Sequence, residues 1–229
     1  MAIKHYEIDG IGQIRVQKRR GSKSMRLRIS NDGTVTIGVP FWVPYKTALD
    51  YAKKQQDWIL RHRPKSKVLM HGQKIGRTHT LMIEKSDLQK VRVKLREDLI
   101  IVSVPRQLDH NHEQVQTAAK KGAKKALIAQ SSIISQNLAQ LAQEHGYEYR
   151  SHNFKFMKSK WGSCNNEKHI TLNYRLLDLP NHLVEYVLLH ELVHLNHMNH
   201  GSEYWAELAN MLPNYKSLKK EMRSISLSW

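Results

Sequence analysis

From Asn181 to His200 the chain contains neither glycine nor proline, and from Leu183 to Leu195 apolar residues dominate all sides of a helical projection. A segment of that kind folds as a helix buried within a core. It nevertheless carries His190-Glu191-Leu192-Val193-His194, and three ionisable groups are unfavourable in such a place unless a metal or polar partners satisfy them. Histidines four apart on a helix differ by about 40° around the axis and about 6 Å along it, so both rings reach one ion. Zinc takes neutral imidazole nitrogens at about 2.0–2.1 Å, and a catalytic site reserves one of its four positions for water. Glu191, next to the first ligand, is placed to take a proton from that water.

A third ligand must come from further on. His197 lies roughly 7 to 8 Å along a straight helix from the midpoint of His190 and His194, beyond the reach of its ring. His200 is better placed if the helix ends near Met198 and Asn199, because Asn199-His200-Gly201 is a turn sequence that swings the chain back. Glu203 and Glu207 are the alternatives, and His197 then becomes an outer or substrate-facing residue. Ser202-Glu203 reads as the cap and first turn of a helix to about Leu212 whose Trp205, Leu208 and Ala209 pack on the motif helix.

Before this helix the pattern alternates between strands and helices. Ile14-Arg15-Val16, Met25 to Ile29 and Thr34 to Val39 read as strands, with a turn at Asn31-Asp32-Gly33 and a hairpin as the simplest account. Leu49, Ala52, Gln56 and Ile59 mark an amphipathic helix ending at Arg61-His62-Arg63-Pro64. Strands return at Thr80 to Ile83, Val91 to Leu95 and Leu99 to Val102. A long helix from His112 to His145 stops at Gly146, and Asn153 to Met157 and Ile170 to Leu177 are again strand-like. The expected class is α+β: an antiparallel β-rich region over residues 1–110, then a helical domain with a small sheet over 111–229. No internal repeat is visible.

Lys+Arg number 37 against 20 Asp+Glu, a formal net charge of +17. That excess favours anionic partners without naming one. Lys18, Arg19, Arg20, Lys23, Arg26 and Arg28 crowd the first hairpin, either as a phosphate-binding face or as charges that protect an edge strand. Lys120, Lys121, Lys124 and Lys125 read as the wet face of the long helix. The single cysteine, Cys164, excludes an intrachain disulfide and fits a reducing compartment. No apolar run is long enough to span a membrane, and the N-terminus has no signal-like core, so a soluble cytoplasmic protein is expected. A nucleophile role for Ser163 or Cys164 is disfavoured, since no triad spacing accompanies them.

The combination Lys160-Trp161-Gly162-Ser163-Cys164, Ile170-Thr171-Leu172-Asn173 with Arg175-Leu176, the His-Glu-x-x-His helix, and Asn199-His200-Gly201 followed by Tyr204-Trp205 resembles the YgjP-like metallopeptidase family, relatives of the SprT-like zincins. Met25 to Ile29, Pro40 and Trp58-Ile59 extend the likeness over nearly the whole chain. The resemblance implies a zincin-like core, zinc ligation by His190, His194 and His200, and Glu191 as general base. It also implies a substrate cleft beside Trp161, Gly162, Ser163, Cys164 and Asn173, where a substrate strand would pair with a sheet edge. Typical members carry serine and phenylalanine where Gly201 and Tyr204 stand here.

The leading expectation is a zinc-dependent metallopeptidase acting on peptide or protein substrates. A metal-dependent nucleoside triphosphate pyrophosphatase of the UTP type, associated with some members of the family, is the alternative, since the same metal chemistry serves carbonyl and phosphorus centres. A basic nucleic-acid-binding protein with a structural zinc is the third. The oligomeric state is not legible from the residues.

Overall fold

The computed structural model describes residues 3–30, 33–62 and 68–227, which fall into two compact units, one within Met1–Lys67 and one spanning Val68–Leu227. The turn residues Asn31-Asp32 and the helix end Arg63-Pro64 lie outside the described residues.

The first unit contains β1 (Ile3–Ile8), β2 (Gly12–Arg19), β3 (Arg26–Ile29), β4 (Val35–Pro40), α1 (Tyr45–Lys54) and α2 (Gln56–His62). Its sheet has the order β1-β2-β4-β3. Alternation along the strands puts Ile14, Val16, Val35, Ile37 and Val39 on one face, where they form a core with Ala48, Ala52 and Ile59. The expected β3–β4 hairpin is present, but β2 runs parallel to β4, so the region is mixed rather than antiparallel. Period-two patterning fixes which side of a strand is buried, not the direction of its neighbour. The helix expected across Leu49 to Ile59 is broken at Gln55, which caps α1.

The second unit begins with β5 (Lys74–Ile75), β6 (His79–Ser86), β7 (Arg92–Arg96) and β8 (Leu99–Pro105). Their order, β5-β6-β8-β7, repeats that of the first sheet, again with a parallel central pair. The registers correspond too: β2 ends with Arg19 opposite Pro40, and β6 ends with Ser86 opposite Pro105. This duplication of topology was not visible as sequence similarity. Helices α3 (Glu113–Ala129) and α4 (Ser131–His145) follow. α3 lies so close to the sheet that a Cβ on Gly122 would stand 2.5 Å from Ile100 and 2.8 Å from Val93. That contact joins residues 68–105 to the helices beyond them, so the compact units divide near residue 67 and not near 110.

The long helix expected over 112–145 is interrupted at Gln130, which is buried. Its side chain accepts from the backbone N–H of Arg77 (2.6 Å) and Thr78 (2.9 Å) and donates to Ala126 O (3.0 Å). Gly146 closes α4 in the left-handed conformation, φ 71°. Beyond it lie β9 (Ser151–Lys155), β10 (Gly162–Cys164), β11 (His169–Asn173), a 3-10 turn over Tyr174–Asp178, α5 (Asn181–Val193), α6 (Ser202–Met211) and α7 (Tyr215–Ser224). The strand read over Ile170 to Leu177 therefore stops at Asn173, whose Oδ1 accepts from Arg175 N and starts the 3-10 turn. β10, β11 and β9 form the expected small sheet, with β10 at its edge.

α5 is the axis of this unit. Leu183, Val184, Val187, Leu188, Leu189, Leu192 and Val193 are all buried, and α4, α6, α7 and β10 pack around it. Each such side chain contributes about 1.5–3 kcal/mol by leaving water. Among the described residues, no helix is long and apolar enough to cross a membrane.

Filling the contact at Gly122 tests the docking of α3. Gly122→Ala should destabilise the protein by about 1 kcal/mol, because the overpacking penalty of about 1–3 kcal/mol outweighs the gain in helix propensity. Lys121→Ala, on the exposed side, should leave thermal unfolding unchanged.

Candidate metal centre

α5 ends at Val193, earlier than the Met198 expected from sequence. The chain then tightens, with Asn196 N and His197 N both donating to Val193 O. This early stop has a chemical use. His194 Nδ1 lies 2.9 Å from the His197 carbonyl oxygen, so that nitrogen carries the proton and Nε2 keeps its lone pair. A hydrogen bond on one ring nitrogen fixes which nitrogen is free to bind a metal.

His200 returns to the same place from the turn before α6. Its Nε2 lies 3.1 Å from His190 Nε2, and the ring centroids of His190, His194 and His200 stand 4.7–4.9 Å apart. One donor nitrogen from each lies within 4.8 Å of the others, so small ring movements bring all three to the ~2 Å bond length of one zinc ion. Tyr204, fully buried on α6, packs its ring against all three, and its hydroxyl donates to the His190 carbonyl oxygen at 3.0 Å. Trp205 stacks on His200 and donates from Nε1 to the His200 carbonyl oxygen at 3.0 Å. The sequence placed Trp205, Leu208 and Ala209 against the motif helix; the buried pair is Tyr204 and Leu208, and Ser202 is the first helical residue, with Gly201 as the cap.

The alternative ligands lie elsewhere. Glu207 accepts hydrogen bonds from Tyr147, Asn196 (2.9 Å) and His197 (2.7 Å). Burial works to raise its pKa, but those hydrogen bonds hold it below the usual carboxylate range. Glu203 is exposed and 3.7 Å from His197 Nδ1. His197 thus serves the turn through its carbonyl and Glu207 through its ring.

Glu191 is 4% exposed, and its Oε2 is buried without a hydrogen-bond partner, as is Nδ1 of His190. Burial pushes the Glu191 carboxyl up to about 8, with Lys160 acting in the opposite direction. Burial, helped by the neighbouring imidazoles and Lys219, drives His190 down to about 3, so its ring is neutral. Gly162 on β10 lies directly over Glu191: a Cβ there would stand 2.5 Å from Oε1 and 2.7 Å from the carboxyl carbon. Only glycine leaves room for the carboxyl group in this position.

These groups line an open cleft of about 530 Å³, together with Trp161, Ser163 and Cys164. Asn173, expected in the cleft, does not line it. It is fully buried, and its Nδ2 donates to Met157 O and Lys160 O at 2.9 Å each, which shapes the loop that leads to Trp161. Burial and Glu191 raise the Cys164 pKa, which keeps it a thiol and a poor nucleophile. Sequence reading missed Tyr186, Lys219, Met222 and Arg223, which also line the cleft. Their signal was spacing: Tyr186 lies one helical turn before His190, and Lys219 and Arg223 are four apart on α7.

Three imidazoles converging beside a buried carboxyl at the floor of a cleft form a donor set suited to a divalent metal. The YgjP-like metallopeptidase domain matches residues 23–225, and the chain belongs to that family. No curated protein matches the sequence. Among solved structures the chain is similar to the metallopeptidase zymogen of Pyrococcus abyssi abylysin, at 23% identity and a TM-score of 0.36, over 39% of this chain and 90% of that one. It is also similar to the metallopeptidase zymogen of Methanocaldococcus jannaschii jannalysin, at 22% identity and a TM-score of 0.34, over 39% and 92%.

The elevated Glu191 pKa makes a prediction for the metal-free protein. Between the ordinary value of 4.5 and about 8, the unfolded chain releases this proton while the folded chain retains it, so the folded state loses stability as pH rises through that window. Glutamine has no proton to retain. After chelation, Glu191→Gln should therefore gain in thermal stability relative to the parent as pH rises from about 5 to 8. Parallel melting curves for the two proteins across that range would show an ionised Glu191 instead.

Proposed function

We propose that this protein is a zinc-dependent metallopeptidase with a zincin-like core, in which His190, His194 and His200 hold the metal and Glu191 is the general base. The observation that carries the reading is the convergence of three imidazole nitrogens within 4.8 Å beside a buried carboxyl oxygen that has no partner. Zinc, when bound, supplies Lewis acidity that polarises a scissile carbonyl and acidifies water. Glu191 accepts the proton of the attacking water at its carboxyl oxygen and passes it to the departing amine nitrogen. Gly162 fixes where that carboxyl stands. Tyr204, holding the carbonyl of His190, and the His197 carbonyl, holding Nδ1 of His194, keep both rings aimed inward. β10 is an edge strand that lines the cleft, so an extended peptide is accommodated by adding a strand to it.

A second reading is favoured by one observation: Lys160, Lys219 and Arg223 line the same cleft. Three cations suit the phosphates of a nucleoside triphosphate, which would make the protein a pyrophosphatase using the same metal and base.

Glu191→Gln should retain stoichiometric zinc by elemental analysis and lose at least about a hundredfold in hydrolysis. Gly162→Ala should likewise keep its metal and lose activity by displacing the base. Parental turnover of a defined substrate by Glu191→Gln would remove Glu191 from the mechanism. Peptide cleavage and pyrophosphate release, assayed side by side on parent and Lys219→Ala, separate the two substrates: a peptidase loses little with Lys219, whereas a pyrophosphatase loses most of its activity.

A further inference from the structure

The first sheet carries a second constellation, unconnected with the histidines. Strand registers set Arg15, Thr36 and Arg28 in one row across β2, β4 and β3, and Gln17, Gly38 and Arg26 in the next, with Arg19 beside Pro40. Paired residues share a face, so these stand opposite the core side chains Ile14, Val16, Val35 and Ile37. The middle strand is small here, at Thr36 and Gly38, while its two neighbours are about 10 Å apart at two interstrand spacings. Of these, Thr36, Gly38, Arg26, Arg28 and Arg19 line a trough of about 430 Å³ that continues into the Arg19 to Ser24 segment. None of its lining residues is acidic, and among the described residues none of its arginines is paired with a carboxylate.

Edge protection explains only part of this. The second sheet has the same topology, and its edge strand β7 is basic at the matching positions, with Arg92 and Lys94 opposite Ser103 and Ile101. Charged edges are therefore common to both sheets. The inner strand differs. Where β2 puts Arg19 into the trough opposite Pro40, β6 has Ser86 opposite Pro105. An inner strand has neighbours on both sides and needs no charge to prevent pairing, so the fold itself does not call for arginines on β2. At its far end, β4 runs into Phe41, whose ring lies under Lys18 on the core side of the sheet, and then into Trp42, which is 73% exposed.

We propose that this trough binds the sugar-phosphate backbone of single-stranded nucleic acid, with Trp42 as a stacking platform for a base. Opposed guanidinium groups bind phosphate oxygens, and a basic groove joined to exposed aromatic rings is the combination that holds unpaired strands with little sequence preference. A duplex keeps its bases stacked within and has no use for an exposed indole.

The test is fluorescence anisotropy of a labelled oligothymidylate titrated with the full-length protein over a range of salt concentrations. The parent should bind with an affinity that falls steeply with salt. The double variant Arg26→Gln/Arg28→Gln should flatten the log–log slope by about 1.4, at about 0.7 per phosphate contact on a single strand. Gly38→Glu places a carboxylate between the arginines and should abolish binding. A Cβ at that position meets nothing nearer than 3.8 Å, so this variant should fold, as circular dichroism would verify. Trp42→Ala should weaken binding at least about fivefold without changing the slope. Arg92→Gln, on the second sheet's edge, should change nothing, and Glu191→Gln should bind like the parent.

Absence of binding at low salt would overturn the proposal. So would an Arg92→Gln effect as large as that of the double variant, which would mark diffuse charge. Equal affinity for duplex with no effect of Trp42→Ala would remove the single-strand assignment, and binding to phosphatidylglycerol vesicles in place of the oligonucleotide would assign the face to membranes.

Discussion

Desolvation on α5 is the constraint from which the rest of the second unit follows. Beyond Glu185 this helix is buried except where it borders the cleft, so little water reaches its polar side chains Tyr186, His190, Glu191 and His194. Each must find a partner inside the protein or a ligand in the cleft, since leaving a buried polar group unpaired costs about 1–3 kcal/mol. The protein meets part of this demand itself. His194 Nδ1 reaches the His197 carbonyl, while His190 Nδ1 and Glu191 Oε2 remain unpaired. Of these two, Glu191 Oε2 belongs to a side chain that lines the cleft beside the three rings, whereas the His190 nitrogen that meets His200 is Nε2 and not the unpaired Nδ1.

The supporting residues act by limiting alternatives. Gly162 keeps β10 close enough to α5 that Glu191 has a single place to stand. Tyr204 sits under all three rings and ties the backbone at His190, and Trp205 ties the backbone at His200. Glu207 gathers Tyr147, Asn196 and His197, which fastens the turn between α5 and α6 to α4's C-terminal end. His200 therefore arrives on a turn held from both sides, and a site that spans two elements gains some of the rigidity of one. The hydroxyl of Tyr204 supplies a hydrogen bond that a phenylalanine at this position could not make.

The site was more legible than the fold, and the reason is distance along the chain. His190, Glu191 and His194 lie within a single turn, where helical geometry alone decides what meets, and His200 follows after one turn sequence. The scaffold depends on contacts that no local pattern announces. Gln130 looks like any helical glutamine, but it is buried and breaks the long helix because its amide answers backbone groups at Ile75, Arg77 and Thr78, more than fifty positions away. Asn173 looked like a cleft residue because of its neighbours in sequence, whereas its amide faces inward to the loop carbonyls. The parallel pairs β2–β4 and β6–β8 were hidden for a similar reason: alternation reports the face of a strand and is silent about its partner. The end of α5 at Val193 was missed because the stop is made by a side chain bonding a carbonyl three residues on, with no glycine to mark it.

The same distinction separates three uses of the positive charge. A net +17 raises the local concentration of any anion, and composition cannot divide it further. Topology can. Arg92 and Lys94 lie on an edge strand, where charge deters pairing with another sheet. Lys160, Lys219 and Arg223 line the cleft from a loop and from α7, where they make it attractive to anions. Arg19 ends an inner strand, with its neighbours already in place, and lines the trough. Neither the cleft cations nor Arg19 protect an edge, which is why duplicated topology, with Ser86 at the position matching Arg19, is a better guide to a binding face than the number of arginines.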